Sequence, residues 1–184
     1  MRASDSQVAL ALDLISSAFI NREPPSLLTD SMQLSDQEFE EVMSFHGKKW
    51  QDITFDLVER CADAVFWFSP EAFCYYLPGI LSAGLRESRW DSNAYDAIIG
   101  CLDRSPKPKY WDDFFLPRWP LLSVEELDAV DVWVEWLESV QPNAFHENTY
   151  QRVRDTLILL KRFVQDEKSP SMARKIKITR HKKN

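Results

Sequence analysis

The stretch Phe66 to Leu85, FWFSPEAFCYYLPGILSAGL, restricts more than any other what this chain can fold into. Ser69, Pro70 and Glu71 form a helix start: a hydroxyl to accept a backbone N–H, a ring pre-set for the first helical position, and an acid at the positive end of the helix dipole. Pro78 then removes one backbone donor and crowds the carbonyl four residues back. This predicts a kink or break near Tyr76 to Gly79, and a second short helix ending around Gly84. Phe66, Phe68, Phe73, Tyr76, Leu77, Ile80, Leu81 and Leu85 place apolar side chains on nearly every side of this elbow. A helix apolar all round is a buried one, so the fold is expected to be organised around it. The run from Ala64 to Leu85 holds only Glu71 as a charge and is long enough to span a bilayer. Its Ser-Pro-Glu start and mid-run Pro-Gly suit a buried elbow, so no membrane partner is expected.

Around the elbow the spacing of apolar residues is helical. Val8, Leu12, Ile15 and Phe19 give a first amphipathic helix over residues 5 to 21, followed by a loop from Asn21 to Gln33. Ser35 with Glu38 and Ser123 with Glu126 are capping boxes, opening a short helix with Phe39, Val42 and Met43 and a longer one to about Val140. A further helix is expected from Trp50 or Asp52 to about Ala64, another from Asn93 to Leu102, and a last long one from about Glu147 to Glu167. Four glycines are too few for a turn-rich β fold. The expectation is all-α: a single-domain irregular bundle of about six to seven helices around a central proline-kinked helix, residues 1–167, with a basic tail at 168–184.

The phrase SPEAF-x-YYLPG-x-L, Ser69 to Leu81, is preceded by Trp50 and Asp52 and followed by Leu122-Ser123-x-Glu125-Glu126. It resembles the core of an uncharacterised bacterial family of small helical proteins marked by a central SPEAF-x-YYLP motif. The likeness covers roughly residues 50 to 140 and carries no catalytic residue with it. Gly79 stands where that family leads one to expect alanine, and Cys74 where a long polar residue is common.

Charge is distributed unevenly. The tail from Lys168 onward holds seven of the 22 basic residues and no acid, which leaves 15 basic against 29 acidic residues, a net −14, on residues 1 to 167. Such a body repels nucleic acid and attracts basic proteins, so a basic protein is the expected partner, with nucleic acid considered only for the tail. Two acidic stripes are expected to carry that contact: Asp52, Asp56, Glu59 and Asp63 on one helix, and Asp128, Asp131, Glu135 and Glu138 on another. Trp111, Phe115 and Trp119, in an aromatic stretch, are the candidate apolar anchor; the same stretch also reads as a seal on the edge of the core.

Cys61, Cys74 and Cys101 lie in expected helices without a C-x-x-C pair, which fits a reducing cytoplasm. His46, His146 and His181 are scattered, and His146-Glu147 lacks the second histidine four residues on that a metal site would want. There is no Gly-rich phosphate loop and no nucleophile elbow. The expectation is therefore a protein without catalytic residues, metal or cofactor. It reads as a non-catalytic binding domain, foremost an immunity-type inhibitor of a basic toxin or nuclease. The alternative is an adaptor or structural subunit tethered through its basic tail to nucleic acid or another acidic surface.

Overall fold

The computed structural model describes residues 5–168, so the expected basic tail lies, Lys168 apart, outside the described residues. Within them the chain is all-α, with no strand. Eight α-helices follow in order: α1 (Asp5–Ala18), α2 (Asp36–Met43), α3 (Phe55–Arg60), α4 (Ala64–Trp67), α5 (Pro70–Glu87), α6 (Asn93–Leu102), α7 (Val124–Val140) and α8 (Thr149–Lys168). None is long and apolar enough to cross a membrane.

α5 is the centre, as its sequence implies: every residue from Ala72 to Leu85 is buried. The Ser69 hydroxyl caps it by accepting from the Ala72 N–H at 3.2 Å. Contrary to expectation, the helix does not break at Pro78 and no second short helix follows; α5 runs unbroken to Glu87. Pro78 deprives only the Cys74 carbonyl of its helical donor, and burial on all sides supplies the energy that holds the element together. What the Pro-Gly step provides is close approach. A Cβ on Gly79 would run into the Trp50 carbonyl and come within 2.8 Å of the Ile53 side chain, so only glycine lets the 3₁₀ turn Trp50–Asp52 lie on α5.

The helix expected from Trp50 to Ala64 is divided into that turn, α3 and α4. Thr54 takes the cap of α3, accepting from the Leu57 N–H at 3.3 Å, and the chain bends again at Cys61. The division explains why eight helices are found rather than about six to seven. The capping boxes form as expected: Ser35 N–H donates to Glu38 at 2.6 Å, and Ser123 N–H to Glu126 at 2.7 Å. α1 packs on both α5 and α7, and α7 on α8, and with the turn after α1 they contribute Ile15, Phe19, Leu127, Val130, Val134, Leu137, Val153, Leu157 and Leu160 to the core, all fully enclosed. Glu126 also receives Arg22 at 2.6 and 2.5 Å, a bidentate pair that fixes the end of α1 to the start of α7.

Candidate binding groove

The two acidic stripes are placed differently from their reading in one dimension. On α7, Asp128 and Asp131 both receive Lys161 of α8, at 2.7 and 2.9 Å, and Glu138 is paired with Arg154 of the same helix. Glu135 alone of the four is exposed and without an ion pair. The second set is not one stripe, because Asp52 sits in the 3₁₀ turn, Asp56 and Glu59 on α3, and Asp63 in the turn ahead of α4. Arg89 takes Asp56 at 2.6 Å and Glu59 at 3.3 Å, with its guanidinium 4.0 Å above the Phe55 ring. Asp52 and Asp63 remain exposed.

The candidate aromatic anchor is core. Trp111 is 4% exposed, and Phe115 and Trp119 are fully enclosed, their rings stacked 5.8 Å apart. They seal the interior beside α5 and α8, and none is presented to a partner.

Exposed apolar side chains gather elsewhere, around a groove of about 700 Å³ between the loop that follows α1, helix α2 and the middle of α5. Phe39 and Met43, one turn apart on α2, are 50% and 37% exposed, and Leu27 opposite them is 56% exposed. Of the three apolar residues that mark α2 in the sequence, Phe39, Val42 and Met43, only Val42 enters the core. The floor is the Tyr75–Tyr76 pair, with ring centroids 4.9 Å apart.

The motif residues build both walls. The Ser69 N–H donates to the Leu28 carbonyl at 2.7 Å, and its hydroxyl donates to the Leu27 carbonyl at 2.7 Å while capping α5, so this serine holds the Pro24–Ser31 wall against the central helix. On the other side the Tyr76 hydroxyl donates to the Phe45 carbonyl at 2.8 Å, which fixes the turn leading to Lys48 and Lys49. Gly47, at φ +73°, takes the left-handed conformation that lets this turn close. Burial pushes the Tyr76 phenol up to about 12, in keeping with a neutral hydroxyl that serves as a structural donor. Tyr75 has no such tie: its hydroxyl makes no hydrogen bond among the described residues, and its ring lines the groove.

The groove's charge is opposite to the body's. His46, Lys48 and Lys49 belong to its lining, which includes no carboxylate, and neither lysine is in an ion pair among the described residues. Along the facing wall the N–H groups of Ser26, Leu27, Leu28 and Thr29 donate to no acceptor among the described residues. Pro24-Pro25 ahead of two leucines was the available sign in the sequence, since proline withholds a loop from regular structure while the leucines need a surface to cover.

Chemistry of other kinds finds little support. Among the described residues no grouping of three His, Cys, Asp or Glu side chains could hold a metal ion. All three thiols are buried, and burial pushes Cys74 up to about 12 and Cys101 up to about 11, which makes them poor nucleophiles.

No curated protein and no solved structure matches the chain. A family model described as a family of unknown function, DUF6714, matches residues 25–156. That span holds the groove except for Pro24 and leaves out α1, although Ala11, Ile15 and Phe19 of α1 and its following turn are fully enclosed in the core. With most of its length matched, the chain belongs to the DUF6714 family.

Proposed function

We propose that this protein is a non-catalytic protein-binding domain that seats a segment of its partner in the groove over Tyr75 and Tyr76. The observation that carries the reading is the concentration of Leu27, Phe39 and Met43, three large apolar side chains open to solvent, in one concavity whose walls are tied down by Ser69 and Tyr76. Preformed walls reduce the ordering cost of binding, and exposed aromatic and methionine side chains over a tyrosine floor are the materials of binding hot spots. The test is co-purification from the native cell with the tagged full chain and with Phe39→Asp/Met43→Asp. A partner retained by the first and lost by the second supports the proposal, because both side chains are exposed and their replacement spares the core. Equal retention by both, with unchanged helical content, overturns it.

A second reading, an immunity-type inhibitor of a basic toxin or nuclease, is favoured by Asp52, Asp63 and Glu135, which carry no internal cation within a body of net −14. Its signature is an association rate that falls as salt is added, because the Debye length shrinks from ~10 Å at 0.1 M to ~3 Å at 1 M. A partner that binds equally fast at both salt concentrations excludes it.

A further inference from the structure

Resting on the groove as the partner site, we infer that its occupant is an acidic amphipathic peptide segment, one that lays apolar side chains on Leu27, Phe39 and Met43 and carboxylates toward Lys48 and Lys49. In a chain with 29 acidic residues, a lining that includes two lysines and a histidine and no acid is a marked local reversal. Both lysines are exposed and neither is paired with an acid among the described residues. An acidic segment seated there lies against these two cations, and at physiological salt the field of any carboxylate farther than a Debye length of ~8 Å is screened. Charges at the mouth of an apolar groove also select among partners, since a basic segment would be repelled where an acidic one is held.

The wall opposite the lysines points to a peptide. The N–H groups of Ser26, Leu27, Leu28 and Thr29 have no acceptor among the described residues. An extended peptide segment carries main-chain carbonyls along its length that can accept from those of these donors that face the groove, while the alkyl chain of an anionic amphiphile offers a single charged end and nothing along its length. The Tyr75 hydroxyl on the floor adds a further donor or acceptor.

The experiment is selection of random dodecapeptides displayed on phage against the immobilised full chain, followed by fluorescence polarisation with the enriched sequences. The proposal expects sequences that combine acidic and large apolar residues. It expects at least tenfold weaker binding of these peptides to Lys48→Glu/Lys49→Glu, equivalent to about 1.4 kcal/mol, and no measurable binding to Phe39→Asp. Selection against the lysine variant should return basic-apolar sequences instead. Circular dichroism of each variant keeps loss of fold apart from loss of binding. Enriched peptides that are neutral or basic, or acidic peptides indifferent to the lysine variant, overturn the acidic occupant while leaving the groove as the binding site. Peptides that bind Phe39→Asp undiminished overturn the groove itself. Failure to enrich any peptide, with dodecanoate binding the wild type and losing affinity on the lysine variant, assigns the site to an anionic amphiphile and overturns the peptide.

Discussion

Replacing a helical glycine by alanine ordinarily stabilises, and at Gly79 the structure requires the reverse. In an open helix interior Gly→Ala gains about 1 kcal/mol, through lower unfolded-state entropy and better helix propensity. At Gly79 the new methyl would overlap the Trp50 carbonyl and stand within 2.8 Å of Ile53, whose side chain is 1% exposed and has nowhere to retreat. The obstacle is backbone, so relief means moving the 3₁₀ turn Trp50–Asp52, with the largely buried Trp50 indole, off α5. Overpacking of this kind costs about 1–3 kcal/mol and more where backbone must shift. Taking the upper end, about 3 kcal/mol, because the obstacle is backbone, and subtracting the propensity gain of about 1 leaves a net loss of about 2 kcal/mol, or a fall in Tm of about 4–8 °C for a domain of this size. Urea denaturation followed by far-ultraviolet circular dichroism measures the first quantity, and a thermal melt the second. The solvent-facing Gly100 of α6, where a Cβ meets nothing within 4 Å, is the control: Gly100→Ala should stabilise by about 1 kcal/mol. A Gly79→Ala protein as stable as wild type, or more so, would refute the close-approach argument.

Three further outcomes are expected. Ser69→Ala removes both the α5 cap and the donor to Leu27, and should lower stability by about 1–2 kcal/mol in urea while weakening any ligand of the groove; loss of stability without loss of binding would separate the cap from the wall. Because burial holds Cys74 and Cys101 above the range of a free thiol, the folded state keeps protons that the unfolded chain sheds above pH ~8.5, so stability is fully present below that pH and falls as pH rises toward 10; the urea midpoint should show this slope, and Cys74→Ala/Cys101→Ala should flatten it. Asp128→Lys/Asp131→Lys confronts Lys161 with two like charges in place of two partners and should cost about 1–2 kcal/mol, allowing for the solvent around Asp128; an unchanged midpoint would mean that the pairs contribute nothing.

Most of the fold could be read from local rules because local physics decides it. The caps at Ser35, Ser69 and Ser123 form as their spacing implies, and α7 and α8 form close to the spans expected of them. The break expected at Pro78 does not occur, because the rule for proline concerns a helix that must stand on its own hydrogen bonds, and α5 is buried on every side from Ala72 to Leu85. The division of the Trp50–Ala64 segment was hidden for the opposite reason: Thr54 offers a cap in mid-helix, and the turn before it is pressed onto Gly79, a contact between positions far apart in the chain. The groove was least visible, since α2 has too few residues to show which of Phe39, Val42 and Met43 lies inside.

The acidic face of α7 shows how a seam can resemble a surface when a helix is read alone. Asp131 and Glu138 are seven residues apart on α7, and their partners Lys161 and Arg154 are seven apart on α8, taken in the opposite direction. Two turns of helix separate each pair, so the opposite-sign matching is what antiparallel neighbours in register produce. These carboxylates thus spend their charge on holding α8 against α7. The consequence for recognition is that a count of acids overstates the field a partner meets, because Asp56, Glu59, Glu126, Asp128, Asp131 and Glu138 all face cations of the same chain. Once those are set aside, the unneutralised groups matter by position more than by number. On the proposed reading, Lys48 and Lys49, as the lysines of the groove's lining, set which segment it accepts, whatever sign the chain as a whole carries.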